Sequence, residues 1–74
     1  MGKTYKAKYR VHDIVYYKKN NDIIKDEIVS VKITDEIDGV LIQYETYLTY
    51  FSDSPERFIS EWRLHSTREE AEKS

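Results

Sequence analysis

The stretch Glu36-Ile37-Asp38-Gly39-Val40 constrains this chain more than any other. Asp-Gly between two alternating apolar–polar runs is the strongest short-range hairpin signal, because a two-residue type I′ turn needs positive φ at both central residues. Taking Asp38 and Gly39 as that loop fixes the register of the strands on either side. Ile37 then faces Val40, Ile33 faces Tyr44, Val31 faces Thr46 and Val29 faces Leu48. On the opposite face Lys32 lies across from Glu45, Thr34 from Gln43 and Ser30 from Tyr47. One face is mostly apolar and the other mostly polar with opposite charges opposed, as cross-strand pairing favours.

The remaining segments read as further strands. From Lys3 to Val11 the odd positions carry Tyr5, Ala7, Tyr9 and Val11, and the even ones Thr4, Lys6, Lys8 and Arg10. That period of two predicts a half-buried strand. Ile14-Val15-Tyr16-Tyr17 predicts a strand apolar on both faces, and Lys18-Lys19-Asn20-Asn21-Asp22 a polar turn, since Asn and Asp tolerate left-handed backbone. An isoleucine-rich strand runs from Ile23 to the hairpin, and its partner continues through Leu48-Thr49-Tyr50-Phe51 to a stop at Ser52-Asp53-Ser54-Pro55. Phe58 to Leu64 predicts one more strand with a kink near Glu61. After it, Ser66 with Glu69 or Thr67 with Glu70 makes a capping box for a short C-terminal helix.

With 74 residues, the chain is expected to be one domain, 1–74, with a β-barrel over 3–65 and a helix over 66–74. A domain of this size buries only about 60% of its unfolded surface, so each core side chain counts. Val11, Val15, Val29, Val31, Ile33, Ile42, Tyr44, Leu48, Phe58 and Leu64 are the expected core, each worth roughly 1.5–3 kcal/mol if fully buried. The chain has no cysteine, which excludes disulfides and cysteine zinc sites and suits a reducing compartment. No apolar run approaches the ~20 residues of a membrane span, so a soluble, cytoplasmic protein is expected. Lys6 stands where a myristoylation signal wants Ser or Thr, and Gly2-Lys3-Thr4 lacks the upstream glycine of a phosphate loop.

Chemistry finds little to work with. His12 and His65 have no ligand spacing around them, and no serine has the flanking glycines of a nucleophile elbow. Asp26-Glu27 and Asp35-Glu36 are adjacent pairs, which point to opposite faces of a strand and do not converge. No catalytic, cofactor-binding or metal-ligating residue is assigned, and an enzyme is not expected.

Charge is more telling. Residues 1–25 hold seven Lys/Arg against two Asp, while residues 26–74 hold five basic and twelve acidic side chains. This split either steers a partner or satisfies itself across the fold. The basic, tyrosine-interleaved start could follow phosphates, with Lys3, Lys6, Lys8, Arg10, Tyr5 and Tyr17 as the contacts. The plainer reading is a solvated strand face, or an edge protected by lysines. Likewise Tyr17 and Tyr47 are either recognition groups or good strand formers whose hydroxyls reach water. The candidate interaction surface is Tyr5, Lys6, Lys8, Arg10, Tyr17 and Tyr47.

Tyr9-Arg10-Val11-His12-Asp13-Ile14-Val15-Tyr16 resembles the "Y-x-V-G-D-x-V-Y" opening of small SH3-like barrels, with His12 in place of glycine. The end, Ile59 to Ala71, is similar to an "I-x-E-x-x-L-F-x-T-x-E-E-A" tail of small uncharacterised proteins from Gram-positive bacteria, their phages and plasmids. The resemblance implies an SH3-like fold: an all-β, strongly bent antiparallel barrel of four or five strands with a short C-terminal helix. It implies binding by loops and exposed aromatics rather than any one activity. The expected function is therefore a non-enzymatic protein-interaction module, an accessory or inhibitor protein of a mobile element, with no cofactor. A homodimer through a sheet edge would be one partner state. The competing expectation is a nucleic-acid-binding barrel that uses the basic N-terminal strand.

Overall fold

The computed structural model describes residues 6–51 and 56–74. Strand β1 (Ile14–Lys19) turns at Asn20-Asn21 into β2 (Asp22–Glu36). Both asparagines have positive φ, 51° and 72°, and Lys19 pairs with Asp22. The type I′ requirement is therefore met here, by two residues whose short amide side chains tolerate the left-handed region.

Strand β2 returns through a second hairpin to β3 (Gly39–Thr46). Its loop is Ile37-Asp38, because Glu36 pairs with Gly39. The expected register is thus corrected by two residues: Ile33 lies opposite Ile42, Val31 opposite Tyr44 and Lys32 opposite Gln43. Asp38 does not take positive φ, whereas Gly39 does, at 137°. Only glycine adopts that angle freely, so the glycine closes the ladder instead of sitting inside the loop. A two-residue slip preserves parity, so each side chain keeps the face its sequence position implied.

A bulge between Ile28 and Ser30 interrupts the β2–β3 ladder. Bulges bend and twist a strand. Before this bulge β2 pairs with β1, and beyond it with β3, which pairs in turn with the two-residue β4 (Ile59–Ser60). The order is β1-β2-β3-β4, antiparallel throughout. The predicted kink near Glu61 is a 3-10 turn over Glu61–Arg63. The chain then reaches the outer edge of β1, where Tyr16 and His65 exchange backbone hydrogen bonds of 2.8 and 2.9 Å. The sheet is curled into a half-barrel.

Tyr9, Val15, Tyr17, Ile28, Tyr44, Ile59 and Leu64 form the core inside that curl, with Ala7, Ile24, Val31 and Ile42 against it. Val15, Tyr44 and Leu64 are buried as expected, and Val29 and Phe58 are half-buried. Val11, Ile33 and Leu48 are instead exposed, at 45%, 45% and 48%. Val11 lies in a turn, Ile33 lies on the part of β2 that β1 does not reach, and Leu48 is no longer on a strand.

Two predicted strands are replaced. Residues 6–13 form none, although the inward–outward alternation survives at Ala7, Lys8, Tyr9 and Arg10. Side chains hold the start of this arm in place of a ladder: the Lys8 N–H donates to Glu61 Oε2 (2.9 Å), and the Tyr9 N–H to the Tyr44 hydroxyl (3.1 Å). At its end the His12 N–H donates to the Ile28 carbonyl (2.8 Å) and the Ile28 N–H to the Asp13 carbonyl (2.9 Å). The arm ends in a turn in which the Asp13 N–H donates to the Arg10 carbonyl (3.0 Å) and His12 has φ of 81°. That is the angle of the third residue of a type II turn. The position where the resembling pattern has glycine thus keeps a glycine-like backbone.

The run after Thr46 is a helical turn, α1 (Tyr47–Phe51), instead of continued strand. Thr46 and Thr49 bond reciprocally, with the Thr46 N–H donating to Thr49 Oγ1 (2.9 Å) and the Thr49 N–H to Thr46 Oγ1 (3.4 Å). The Leu48 N–H donates to Asp26 Oδ1 (3.3 Å). These bonds satisfy helix-start donors that a strand would have given to a neighbour. The last element, α2 (Arg68–Lys73), starts at Thr67, whose Oγ1 accepts from the Glu70 N–H. Of the two capping alternatives the cap falls at Thr67, with the Glu70 carboxylate accepting from the Thr67 hydroxyl (3.3 Å), and buried Ala71 seats the helix.

A methyl group on Gly39 would meet nothing within 4 Å. Replacing it with alanine therefore tests the backbone alone. Gly39→Ala is expected to lower unfolding free energy in urea by about 1–3 kcal/mol. A loss under a few tenths would show that the turn relaxes freely.

Candidate interaction surface

The six candidate residues are not brought into one surface. Tyr5 lies outside the described residues, as does Lys3 of the nucleic-acid reading. Lys6, Lys8 and Arg10 are exposed along the arm, and Tyr47 is exposed on α1. Tyr17 is only 3% exposed, and its hydroxyl donates to Asp26 Oδ2 (2.8 Å). Burial first, and then the bond to Asp26, raises its pKa well above the usual phenol value. Tyr17 is a core residue and leaves the surface set. On the two-faced strand β1 its parity alone could not decide between core and surface.

Among the described residues the N-terminal cations do not neutralise the acidic half through direct ion pairs. The ion pairs among the described residues are His12–Glu27, Arg57–Glu45, Arg63–Glu56 and Arg68–Glu72. None involves Lys6, Lys8, Arg10, Lys18, Lys19 or Lys25. The Lys8 ammonium lies over the Tyr9 ring, 5.5 Å from its centre, and Lys18 Nζ donates to the Ser74 carbonyl (2.7 Å).

A cluster that the strand reading hid appears on α1. In a strand Tyr47 and Tyr50 would point to opposite faces. The helical turn instead packs Tyr47 and Tyr50 against Phe51, with ring centres 4.6 and 4.9 Å from it. Tyr47, Leu48, Tyr50 and Phe51 are 48–67% exposed, so their contacts are with one another more than with the core. A shallow groove beside them is lined by Ile14, Lys25, Asp26, Glu27, Tyr47 and Leu48. Arg57 extends over Tyr50, 5.7 Å from the ring centre.

Two buried acids position this patch. Asp26 is 6% exposed, and its carboxylate accepts from the Tyr17 hydroxyl and from the Glu27 and Leu48 N–H groups, tying β1, β2 and α1 together. Glu45 is 7% exposed and accepts from Ser30 Oγ (2.7 Å) and Arg57 Nε (2.5 Å). The Arg57 guanidinium, aided by the Ser30 hydroxyl, holds the Glu45 carboxyl below its ordinary value of 4.5. On the other side of the core, burial and the bond to the Glu61 carboxylate push the Tyr44 hydroxyl up to about 12.

Among the described residues no three His, Asp or Glu side chains gather as metal ligands, and no helix is long and apolar enough to cross a membrane. Comparison of the chain with family models, with curated proteins and with solved structures finds no match.

The Glu45–Arg57 pair sets a pH dependence. A carboxyl whose folded pKa is depressed contributes its stability above the unfolded pKa and loses it as pH falls through the folded one. Stability in urea is therefore expected to decline below about pH 4.5, and Arg57→Ala to flatten part of that decline. Parallel pH profiles for the two proteins would show that the pair adds nothing.

Proposed function

We propose that this chain is a non-enzymatic protein-interaction module, built on a small SH3-like barrel and acting in the cytoplasm. The observation that carries this reading is the exposed cluster Tyr47, Leu48, Tyr50 and Phe51 on α1. Large aromatic side chains packed on one another at the surface are the residue types that dominate binding energy at protein interfaces. Asp26 and Glu45 hold the patch on the sheet, so its shape is set before a partner arrives. The bent antiparallel sheet and the return of the chain to β1 support the SH3-like assignment. An accessory or inhibitor role in a mobile element rests on the resemblance of the segment from Ile59 to Ala71 alone.

The test is a pair of immobilised proteins exposed to host lysate: the natural chain and Tyr47→Ser with Phe51→Ser. A partner retained by the first and lost with the second, at unchanged far-ultraviolet circular dichroism, is the expected result. Identical retention by both would remove α1 from the interface.

A second reading has its own support. Among the described residues Lys6, Lys8 and Arg10 join no ion pair, which leaves their charge available to an acidic partner. If that partner is nucleic acid, binding to single- or double-stranded oligonucleotides should be measurable at about 50 mM salt and fall steeply as salt rises. Lys6→Ala, Lys8→Ala and Arg10→Ala together should reduce the salt slope. No binding at low salt sinks this alternative.

A further inference from the structure

The opposite end of the sheet presents a second surface, independent of α1. Strand β3 begins at Gly39, but β4 pairs only with Gln43 and Tyr44. The chain then leaves the sheet in the 3-10 turn over Glu61–Arg63. Had β4 continued, its next residues would have covered the edge of β3 at Ile42 and Leu41. Among the described residues no strand pairs with that edge from Gly39 to Ile42.

A groove follows it, lined by Val40, Leu41 and Ile42 on one side and by Ser60, Glu61 and Trp62 on the other. Trp62 is 79% exposed, whereas Leu64, two residues on, is 2% exposed. The 3-10 turn thus leads into buried Leu64 and leaves the largest side chain of the molecule beside an unfilled strand position. An open edge offers backbone hydrogen bonds, and an adjoining apolar side chain offers a contact for every second residue of an added strand.

Charge selects the occupant. Across the hairpin Asp35 pairs with Val40 and Glu36 with Gly39, and Asp38 lies in the loop. All three are exposed, and none joins an ion pair among the described residues. Glu61 adds a fourth carboxylate, already accepting from Lys8 N–H and Tyr44. The nearest cation along the ladder, Lys32 opposite Gln43, has its ammonium over the Phe58 ring. A second copy pairing by the same edge would bring the same negative charge to it, which opposes self-association there.

We propose that the open edge of β3 beside Trp62 binds an extended peptide of alternating basic and apolar residues, which adds as a fresh antiparallel or parallel strand along Gly39–Ile42. Apolar side chains of the peptide pack on Trp62 and Leu41, and its lysines or arginines fall on the other face, which carries Asp35 one strand away, while Glu36 and Asp38 add negative charge at the end of the hairpin. This surface is separate from α1, so loss of either leaves the other standing.

Trp62 is the sole tryptophan, so its emission reports the site directly. The probes are two end-capped hexapeptides, one alternating lysine and valine, the other glutamate and valine. The lysine peptide is expected to shift Trp62 emission to the blue in a saturable way and to slow amide exchange along Gly39–Ile42. The glutamate peptide should do neither. Asp35→Lys with Glu36→Lys should weaken binding by about tenfold or more. If that variant alters the far-ultraviolet spectrum, Asp35→Asn with Glu36→Gln serves instead, with a smaller loss in the same direction. No response, an equal response to both peptides, or an emission change without amide protection would overturn the proposal. So would dimerisation of the peptide-free chain that buries Trp62, since a second copy would then be the occupant.

Discussion

The Tyr44 hydroxyl is the joint on which the curl of this sheet depends. Tyr44 lies in the second half of β3, fully buried, and carries one donor and two acceptor positions into the core. The donor goes to Glu61 Oε2 (2.5 Å) on the 3-10 turn, and one acceptor position receives the Tyr9 N–H. Glu61 Oε2 also receives the Lys8 N–H. The Tyr9 ring meets Tyr44 edge-on, with centres 5.5 Å apart, and its own hydroxyl donates to the Leu64 carbonyl (3.1 Å). Two tyrosines and one glutamate thus connect three segments that no strand pairing connects. A buried polar group without a partner costs about 1–3 kcal/mol, so the arm and the turn are held where these hydroxyls need them.

The same device recurs on either side of the bulge. Asp26, before it, binds a β1 hydroxyl and an α1 amide; Glu45, beyond it, binds β2 and the segment before β4. A chain with so little apolar interior fixes its irregular parts with short polar contacts. The cost of burying each carboxylate is offset by at least two hydrogen bonds. The exposed aromatics on α1 follow from this economy, because the core closes without them.

Much of this was legible from the residues, and the failures share a cause. Periodicity identified β1, β2 and β3, the polar turn at Asn20-Asn21, the kink at Glu61 and the Thr67 cap, because each depends on neighbours in sequence. The hairpin register was missed by two residues, since Asp-Gly chemistry does not say whether glycine sits within the loop or closes it. The arm at 6–13 has a strand's alternation and a strand's facing. Only tertiary partners, the Tyr44 hydroxyl and the Glu61 carboxylate, decided that the Lys8 and Tyr9 amides bond to side chains. At Tyr47–Phe51, strand-forming aromatics were overruled by the Thr46–Thr49 exchange and by Asp26, which is distant in sequence. That same distance concealed the aromatic patch. Trp62 shared a parity with Phe58 and Leu64, and the 3-10 turn broke that parity.

The bridge between Tyr16 and His65 has a kinetic meaning. Both long hairpins join residues close in sequence, and can form as soon as their loops close. The bridge joins residues far apart, and such contacts are formed only after the entropy of a large loop has been met. Two backbone bonds at one residue pair return little for that loss. Contact separation thus favours assembly of the half-barrel from its middle outward, and its seam at β1 is the place where the folded chain should first come open.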